Sequence, residues 1–473
     1  SWWEDSFKQE GPAARKLYNA DTSWHVIRSY IKGISPEEYL SPEDYVDVPS
    51  KQKSVKPETF QVVFDRVWKR YDEFQKATGC WDHQDLARFV LEKDLVKNDF
   101  PVVFCDEAQD FTRIELEVLH RLSLFHKRSL QNHEVPRVPI AFAGDPFQTL
   151  NPTGFRWEAT KAFFTEKFIE SFPGAKRDLN YRELTYNYRS SNHIVRFNNS
   201  LQLLRSSVFG FTEIAPQKPW EDAEDTHLKV PYFNRNEAEV LESLQNQSEI
   251  RIIVPCEEGG EAKWLKDQGL SDYVAFDDAG VPKNVVSPTR VKGLEFPRVV
   301  LLGFGEACPP NLRNAIDEKI KLEGDGAIES QYFLNSLYVA ASRPRKHLFI
   351  IDSEKYLENF WKKILLQDGL VWEVDQIDTW SGMTGEIIPG DSESWNKDKE
   401  DPLETAEKLE REGVSRRCHY TLRQAAQSYE AAGKETFQKK CKAKAYEMEQ
   451  KHLEAAKIYR EINYIRDSLM AAW

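Results

Sequence analysis

Apolar positions along the chain follow two spacings, and the change from one to the other sets the first picture. Phe60, Val63, Phe64 and Val67 recur at i, i+3, i+4 and i+7, the stripe of an amphipathic helix. Residues 1–95 read mainly as helices and loops, with Leu86 to Leu95 as a further helix. Pro101-Val102-Val103-Phe104-Cys105 is then a short apolar run ending in acids, and Val138 to Ala143 is a second run ending in Gly-Asp. Short continuous runs of this kind fit buried strands, and the segment between them, Thr112 to Phe125, has helical character. Strand, helix, strand with polar residues at the strand ends predicts a parallel α/β sheet with its site at the carboxyl edge.

A second α/β unit follows, with candidate strands Arg251–Pro255, Arg298–Phe304 and His347–Asp352. Between the last two, Leu334, Leu337, Tyr338 and Ala341 share one helical face, and a later helix carries Leu357, Phe360, Trp361, Ile364 and Leu365. The stretch Trp380–Pro402 is rich in Gly, Ser, Asp and Pro and reads as linker. Beyond it no strand signal remains. Ala425-Ala426 with Tyr429 and Gly433, then Ala455-Ala456 with Tyr459, repeat small residues followed by an aromatic, which suits helical hairpins of the TPR-like kind. A plain helical bundle fits the same residues. The expected divisions are 1–80, 81–183, 184–368, a linker over 369–402 and a helical tail over 403–473.

Composition narrows the class. At 473 residues, 40% hydrophobic and 30% charged, the chain is an ordinary folded sequence of two or three domains. No apolar run reaches the roughly 18 residues of a membrane span, and Ser1-Trp2-Trp3-Glu4-Asp5 is not a signal peptide. Its start without Met suggests a piece of a longer protein. Six widely spaced cysteines form no CxxC pair, which points away from zinc and toward a reducing interior compartment, cytoplasm or nucleus. Lys and Arg total 64 against 77 Asp and Glu, a net charge of −13. Phosphate binding then needs a local basic groove. Lys434 to Lys444 holds five lysines, which could touch nucleic acid or simply form a solvated face.

Five polar blocks carry candidate chemistry. Asp106-Glu107-Ala108-Gln109-Asp110 follows a strand, where one carboxylate can hold Mg²⁺ and a second can activate water; a charged helix start is the plainer alternative. Gly144-Asp145-Pro146-Phe147-Gln148-Thr149 follows the next strand, and Gln148 could sense a γ-phosphate or its water, or the block could be a simple turn. In Leu184-Thr185-Tyr186-Asn187-Tyr188-Arg189-Ser190, Arg189 could grip a phosphate or lie on the surface beside a Ser cap. The fourth block, Ser287-Pro288-Thr289-Arg290-Val291-Lys292-Gly293-Leu294-Glu295-Phe296-Pro297, precedes a buried strand, or is simply a polar turn leading into it. Leu337-Tyr338-Val339-Ala340-Ala341-Ser342-Arg343-Pro344-Arg345 puts Arg343 at a helix end, as an arginine finger or as a cation placed on the helix dipole.

In order and approximate spacing these blocks resemble the motifs of UvrD/Rep-type superfamily 1 helicases, across about residues 80–352. The resemblance implies an α/β fold of two RecA-like parallel-sheet domains, the first incomplete, with an all-helical C-terminal segment. It implies an ATP-driven translocase on single-stranded nucleic acid, DNA in preference to RNA, with ATP hydrolysed in the cleft between the two domains. Asp106 would coordinate Mg²⁺, and Glu107 would be the catalytic base. Gln109 and Gln148 would couple nucleotide to strand, and Arg189 and Arg343 would be arginine fingers. Glu295 would meet the nucleotide sugar after a turn that Gly293 permits. Phe155 and Trp157 would stack on bases, each contact worth about 1–3 kcal/mol, or else pack in the core.

Three departures qualify the match. No GxxxxGK[ST] loop occurs, so this chain alone is expected to hydrolyse ATP barely or not at all. Thr289 stands where many relatives carry His, which leaves its nucleic-acid contact in doubt. Only 289 − 189 = 100 positions separate Arg189 from Thr289, too few for the large domain inserted there in UvrD. A non-catalytic helicase-like scaffold, or a nucleotide-gated switch with a protein partner on the helical tail, remains an alternative.

Overall fold

Continuous apolar runs become parallel strands here, and the polar residues that close them collect at the sheet edges. The computed structural model describes residues 2–8, 18–49, 53–126, 140–150, 160, 161, 163, 165, 182–210, 215–220, 229–245, 250–277, 280–323, 325–365, 380, 382–391, 394, 395 and 401–464. Two compact units emerge. Unit 1 comprises Ser1–Leu184, Arg205–Phe211 and Cys308–Tyr338; unit 2 comprises Thr185–Leu204, Thr212–Ala307 and Val339–Trp473.

Unit 1 opens with helices around an aromatic core that includes Phe7, Tyr30, Tyr45, Phe60 and Trp68. Tyr45 and Phe60 stack with ring centroids 4.1 Å apart. The expected stripe Phe60–Val67 is helical, but its second half, Phe64–Trp68, widens into a π turn, as does Ile27–Ile31. Directly after that earlier π turn, the buried Lys32 ammonium lies 2.5 Å from both Asp82 and Asp85. Burial alone would raise the Asp82 pKa, but Lys32 outweighs it and holds the carboxyl below its usual value. Two strands follow, β1 (Val103–Cys105) and β2 (Ile140–Phe142), which pair in parallel with Val103 opposite Ile140. The expectation that the first run is buried throughout needs correction. Cys105 is buried, but Phe104 is 81% exposed, because among the described residues this sheet has two strands and no layer over that face. The intervening helix Arg113–Leu122 begins at a capping box in which Glu115 accepts the Thr112 amide at 2.7 Å.

Unit 2 contains a short parallel pair, β3 (Tyr186–Asn187) with β4 (Lys218–Pro219), and a six-stranded parallel sheet. The sheet's strands are β5 (Val230–Asn234), β6 (Ile250–Ile253), β7 (Val285–Val286), β8 (Phe296–Leu302), β9 (Pro344–Asp352) and β10 (Ile387–Pro389), in the order β10-β5-β9-β8-β6-β7. Every residue of β6 and β8 is buried, as expected for parallel strands covered on both faces. The three strands expected from the sequence are β6, β8 and β9. The stretch expected to be linker is in part structural: Ile387–Pro389 forms the edge strand, and Trp395 stacks on Phe233 at 4.4 Å and on Phe349 at 4.8 Å.

The tail is four helices, Pro402–Ser415, His419–Ala431, Glu435–Met448 and His452–Glu461. The small-then-aromatic pattern packs them: Ala425, Ala426 and Tyr429 share a core with Cys441, and Ala455, Ala456 and Tyr459 share one with Ala443 and Tyr446. Gly413 admits this closeness, since a Cβ there would meet the Leu422 backbone nitrogen at 3.0 Å. Among the described residues no cysteine is in a disulfide, and no helix is long and apolar enough to cross a membrane.

At the carboxyl end of β9, Asp352 is fully buried and accepts from Gly305 N (2.7 Å), Trp361 Nε1 (3.0 Å) and Ser353 N (3.0 Å). Burial outweighs these bonds and pushes its pKa up to about 6, from 3.8. The folded state therefore binds an extra proton between those two values. This contribution to stability is full below pH 3.8 and is lost as pH rises through 6. Relative to Asp352→Asn, the wild-type chain should gain about 1–3 kcal/mol between pH 7 and pH 4. Urea unfolding of both proteins across that range measures it, and a constant difference between them contradicts the prediction.

Candidate functional site

Two strand ends in unit 1 are joined by side chains. Glu107, one residue past Asp106 at the end of β1, adopts a left-handed backbone with φ 54° and ψ 40°, a conformation non-glycine residues seldom take. Such strain concentrates at functional sites. Asp106 is exposed, and its Oδ1 accepts the Glu107 amide at 2.9 Å. The fully buried Gln109 works in two directions: its Nε2 donates to Glu107 Oε2 at 2.5 Å, and its Oε1 accepts the Asp145 amide at 3.0 Å. Asp145 continues the chain, accepting from Phe147 N at 2.9 Å and from Gln148 Nε2 at 3.0 Å. The structure thus brings Glu107, Gln109 and Gln148 into one hydrogen-bonded line across the ends of β1 and β2. Backbone bonds fix the frame, Ala143 N to Cys105 O and Ala108 N to Ala143 O, both at 2.8 Å.

Behind the second block lies Arg205, fully buried. It donates to Asn335 Oδ1, and its guanidinium sits 4.3 Å from the Phe147 ring centroid. Asn335 Nδ2 donates in turn to the Thr149 carbonyl at 2.6 Å. Burial lowers the Arg205 pKa to about 10, with Asp145 opposing the drop. Nothing in the spacing around Arg205 marks it. Its role is tertiary: it clamps the Gly144–Thr149 segment whose Gln148 the motif reading singles out.

Unit 2 places Glu295 and Arg343 at the amino ends of β8 and β9, which they precede. Glu295 is a hub. Its Oε2 lies 3.3 Å from Arg189 Nε, and its Oε1 lies 3.3 Å from Lys408 Nζ and 3.9 Å from Arg345 Nε. Gly293 turns the chain before it with φ +75°. Arg189 follows an Asx turn in which Asn187 Oδ1 accepts both the Arg189 and Ser190 amides at 3.0 Å. Ser190 and Ser191 tie this block to the start of β9 through the Pro344 and Arg345 carbonyls, at 2.8 and 2.7 Å.

Arg343 differs from the expectation of a projecting finger. It is 1% exposed and turned inward, donating to Val339 O (2.9 Å), Leu294 O (3.2 Å) and Ser342 Oγ (2.7 Å). Thr289 is exposed in the short helix Pro288–Val291, with no part in the Glu295 hub. Phe155 and Trp157 lie outside the described residues. The sequence reading missed an exposed aromatic group beside Arg189: Tyr188 and Trp220 lie 4.5 Å apart, and Tyr186 meets Trp220 edge-on at 6.0 Å. Two tyrosines inside a motif were the available signal.

No protein-family model matches the chain, and no curated protein matches it.

Gly144 is a tight point between the two blocks. A Cβ there would fall 2.3 Å from Gln109 Oε1 and 3.1 Å from Ala108 N, so Gly144→Ala must break the link between the two blocks. A loss of about 1–3 kcal/mol is expected, with faster hydrogen exchange at the Ala108 and Asp145 amides. Unchanged exchange at both amides contradicts the assignment.

Proposed function

We propose that this chain is the motor portion of an ATP-dependent translocase or helicase of the UvrD/Rep type, built on two RecA-like domains and acting on single-stranded nucleic acid, DNA in preference to RNA. The observation that carries this reading is the line Glu107–Gln109–Asp145–Gln148 across two adjacent parallel strand ends. Six other non-glycine residues among those described share a positive φ, so it is the bond from buried Gln109 that sets Glu107 apart. A water-activating carboxylate needs an orientation fixed before reaction, and Gln109 gives Glu107 that orientation. The same amide holds Asp145, so a displacement at the Glu107 end is transmitted to Gln148. This is a physical means of coupling nucleotide state to a second surface.

Asp106, exposed at the strand end and anchored by the Glu107 amide, suits Mg²⁺, which takes one or two carboxylates and completes its shell with water and phosphate oxygens. Bound there, the ion would neutralise phosphate charge. Arg189 is half exposed and can exchange Glu295 for a phosphate, and its planar fork matches that partner. Exposed Tyr188 and Trp220 offer flat faces for a base. An exposed cation and aromatic rings side by side suit a nucleotide or a strand better than a purely apolar partner.

Steady-state ATPase assays of the full-length protein, with and without single-stranded DNA, test the reading. Glu107→Gln should lower kcat by about 10²–10⁴-fold with little change in nucleotide affinity. Turnover that is DNA-independent and indifferent to this substitution would leave a scaffold as the function.

A further inference from the structure

The motor reading leaves one polar contact of unit 2 unused. The first tail helix, Pro402–Ser415, lies against the Gly293–Glu295 turn. Lys408, Glu412 and Arg416 recur every four residues, so one face of the helix and its C-cap presents them in a row. Lys408 donates to Glu295 Oε1 at 3.3 Å, and Arg416 Nη1 donates to the Gly293 carbonyl. Glu412 steadies Arg416 at 3.2 Å. A Cβ at Gly293 would stand 3.8 Å from Arg416 Nη1. The inner side of this turn is held by buried Leu294 and its carbonyl bond from Arg343, while Gly293 on its outer side is exposed and left-handed.

We infer that Lys408 and Arg416 are positioning residues for the nucleotide site, so that the helical tail completes the motor. This rests on the assignment of Glu295 to the nucleotide sugar. The two carboxylate oxygens divide the work. Lys408 and Arg345 lie on Oε1, while Arg189 lies on Oε2. When Arg189 turns to a phosphate, Lys408 keeps the carboxylate in place and Oε2 is released to accept a sugar hydroxyl. Arg416, on the carbonyl two residues earlier, holds the turn at its other end. Sequence separations of 113 and 123 residues put both contacts beyond any motif.

The test uses the full-length protein with Lys408→Ala, Arg416→Ala, the double variant and Lys408→Arg, read by steady-state ATPase and by hydrogen exchange over residues 292–296. In the double variant KM for ATP should rise about 5-fold or more while kcat changes less than about 2-fold, since a ground-state contact is lost. Exchange over 292–296 should quicken about 10-fold, and Lys408→Arg should restore both. Unchanged KM and exchange overturn the inference. Faster turnover in the variants overturns it too, because the tail would then be a brake. If wild-type protein neither binds nor hydrolyses ATP while exchange still responds, the motor reading falls and the tail contact is structural only.

Discussion

The carboxamide of Gln109 is the interaction on which the rest of unit 1's candidate site depends. It is buried, and a buried amide must be hydrogen-bonded at both ends or cost stability. Its nitrogen finds Glu107 and its oxygen finds the Asp145 amide, and the second bond exists because Gly144 has no side chain in the way. The left-handed turn at Glu107, worth about 1–2 kcal/mol of strain, is offset locally by the Asp106 and Gln109 bonds. Removing any member of this set leaves a polar group unsatisfied or a turn unsupported, so the site is held as a unit.

Unit 2 solves a different problem, how to keep several guanidinium groups ready. Arg189 and Arg343 show two answers. Arg189 is half exposed in an ion pair, and such pairs contribute only about 0–1 kcal/mol, so exchanging its partner costs little. Arg343 is buried against two carbonyls and a hydroxyl, and moving it breaks three bonds at once. One bond goes to the Leu294 carbonyl, inside the turn that carries Glu295. Arg343 as it stands therefore shapes the Glu295 hub from within, while Arg189 is the more exposed of the two.

What the sequence made legible follows from which residues had local reasons for their places. Strands β6, β8 and β9 were readable because burial on both faces forces unbroken apolar runs. The tail helices were readable because Ala-Ala followed by Tyr has few other uses. Strands β5, β7 and β10 were not. Val230–Asn234 carries Pro231, Val285–Val286 is two residues long, and Ile387–Pro389 ends in proline inside a stretch of linker composition. Each is a strand because a longer neighbour supplies its hydrogen-bond partners. The motif residues Glu107, Gln109, Gln148, Arg189 and Glu295 were legible by type and order. Arg205, Lys408 and Arg416, which hold the motifs in shape, were not, because their contacts span 58 to 130 residues of chain (205 − 147 = 58) and leave no local pattern.

The acidic total also changes meaning once positions are known. A net charge of −13 suggests a poor partner for phosphates only if the charge acts as a whole. Exposed charges more than about 8–10 Å apart are largely screened at physiological salt, so a phosphate responds to its immediate surroundings. Around the Gly293–Glu295 turn those surroundings are Arg189, Arg345, Lys408 and Arg416, with Glu295 and Glu412 as the acids paired to them. Four cations are paired there with two carboxylates or with the backbone of the turn. Two of those four come from the tail. The helical segment therefore brings cations to this turn that composition alone conceals.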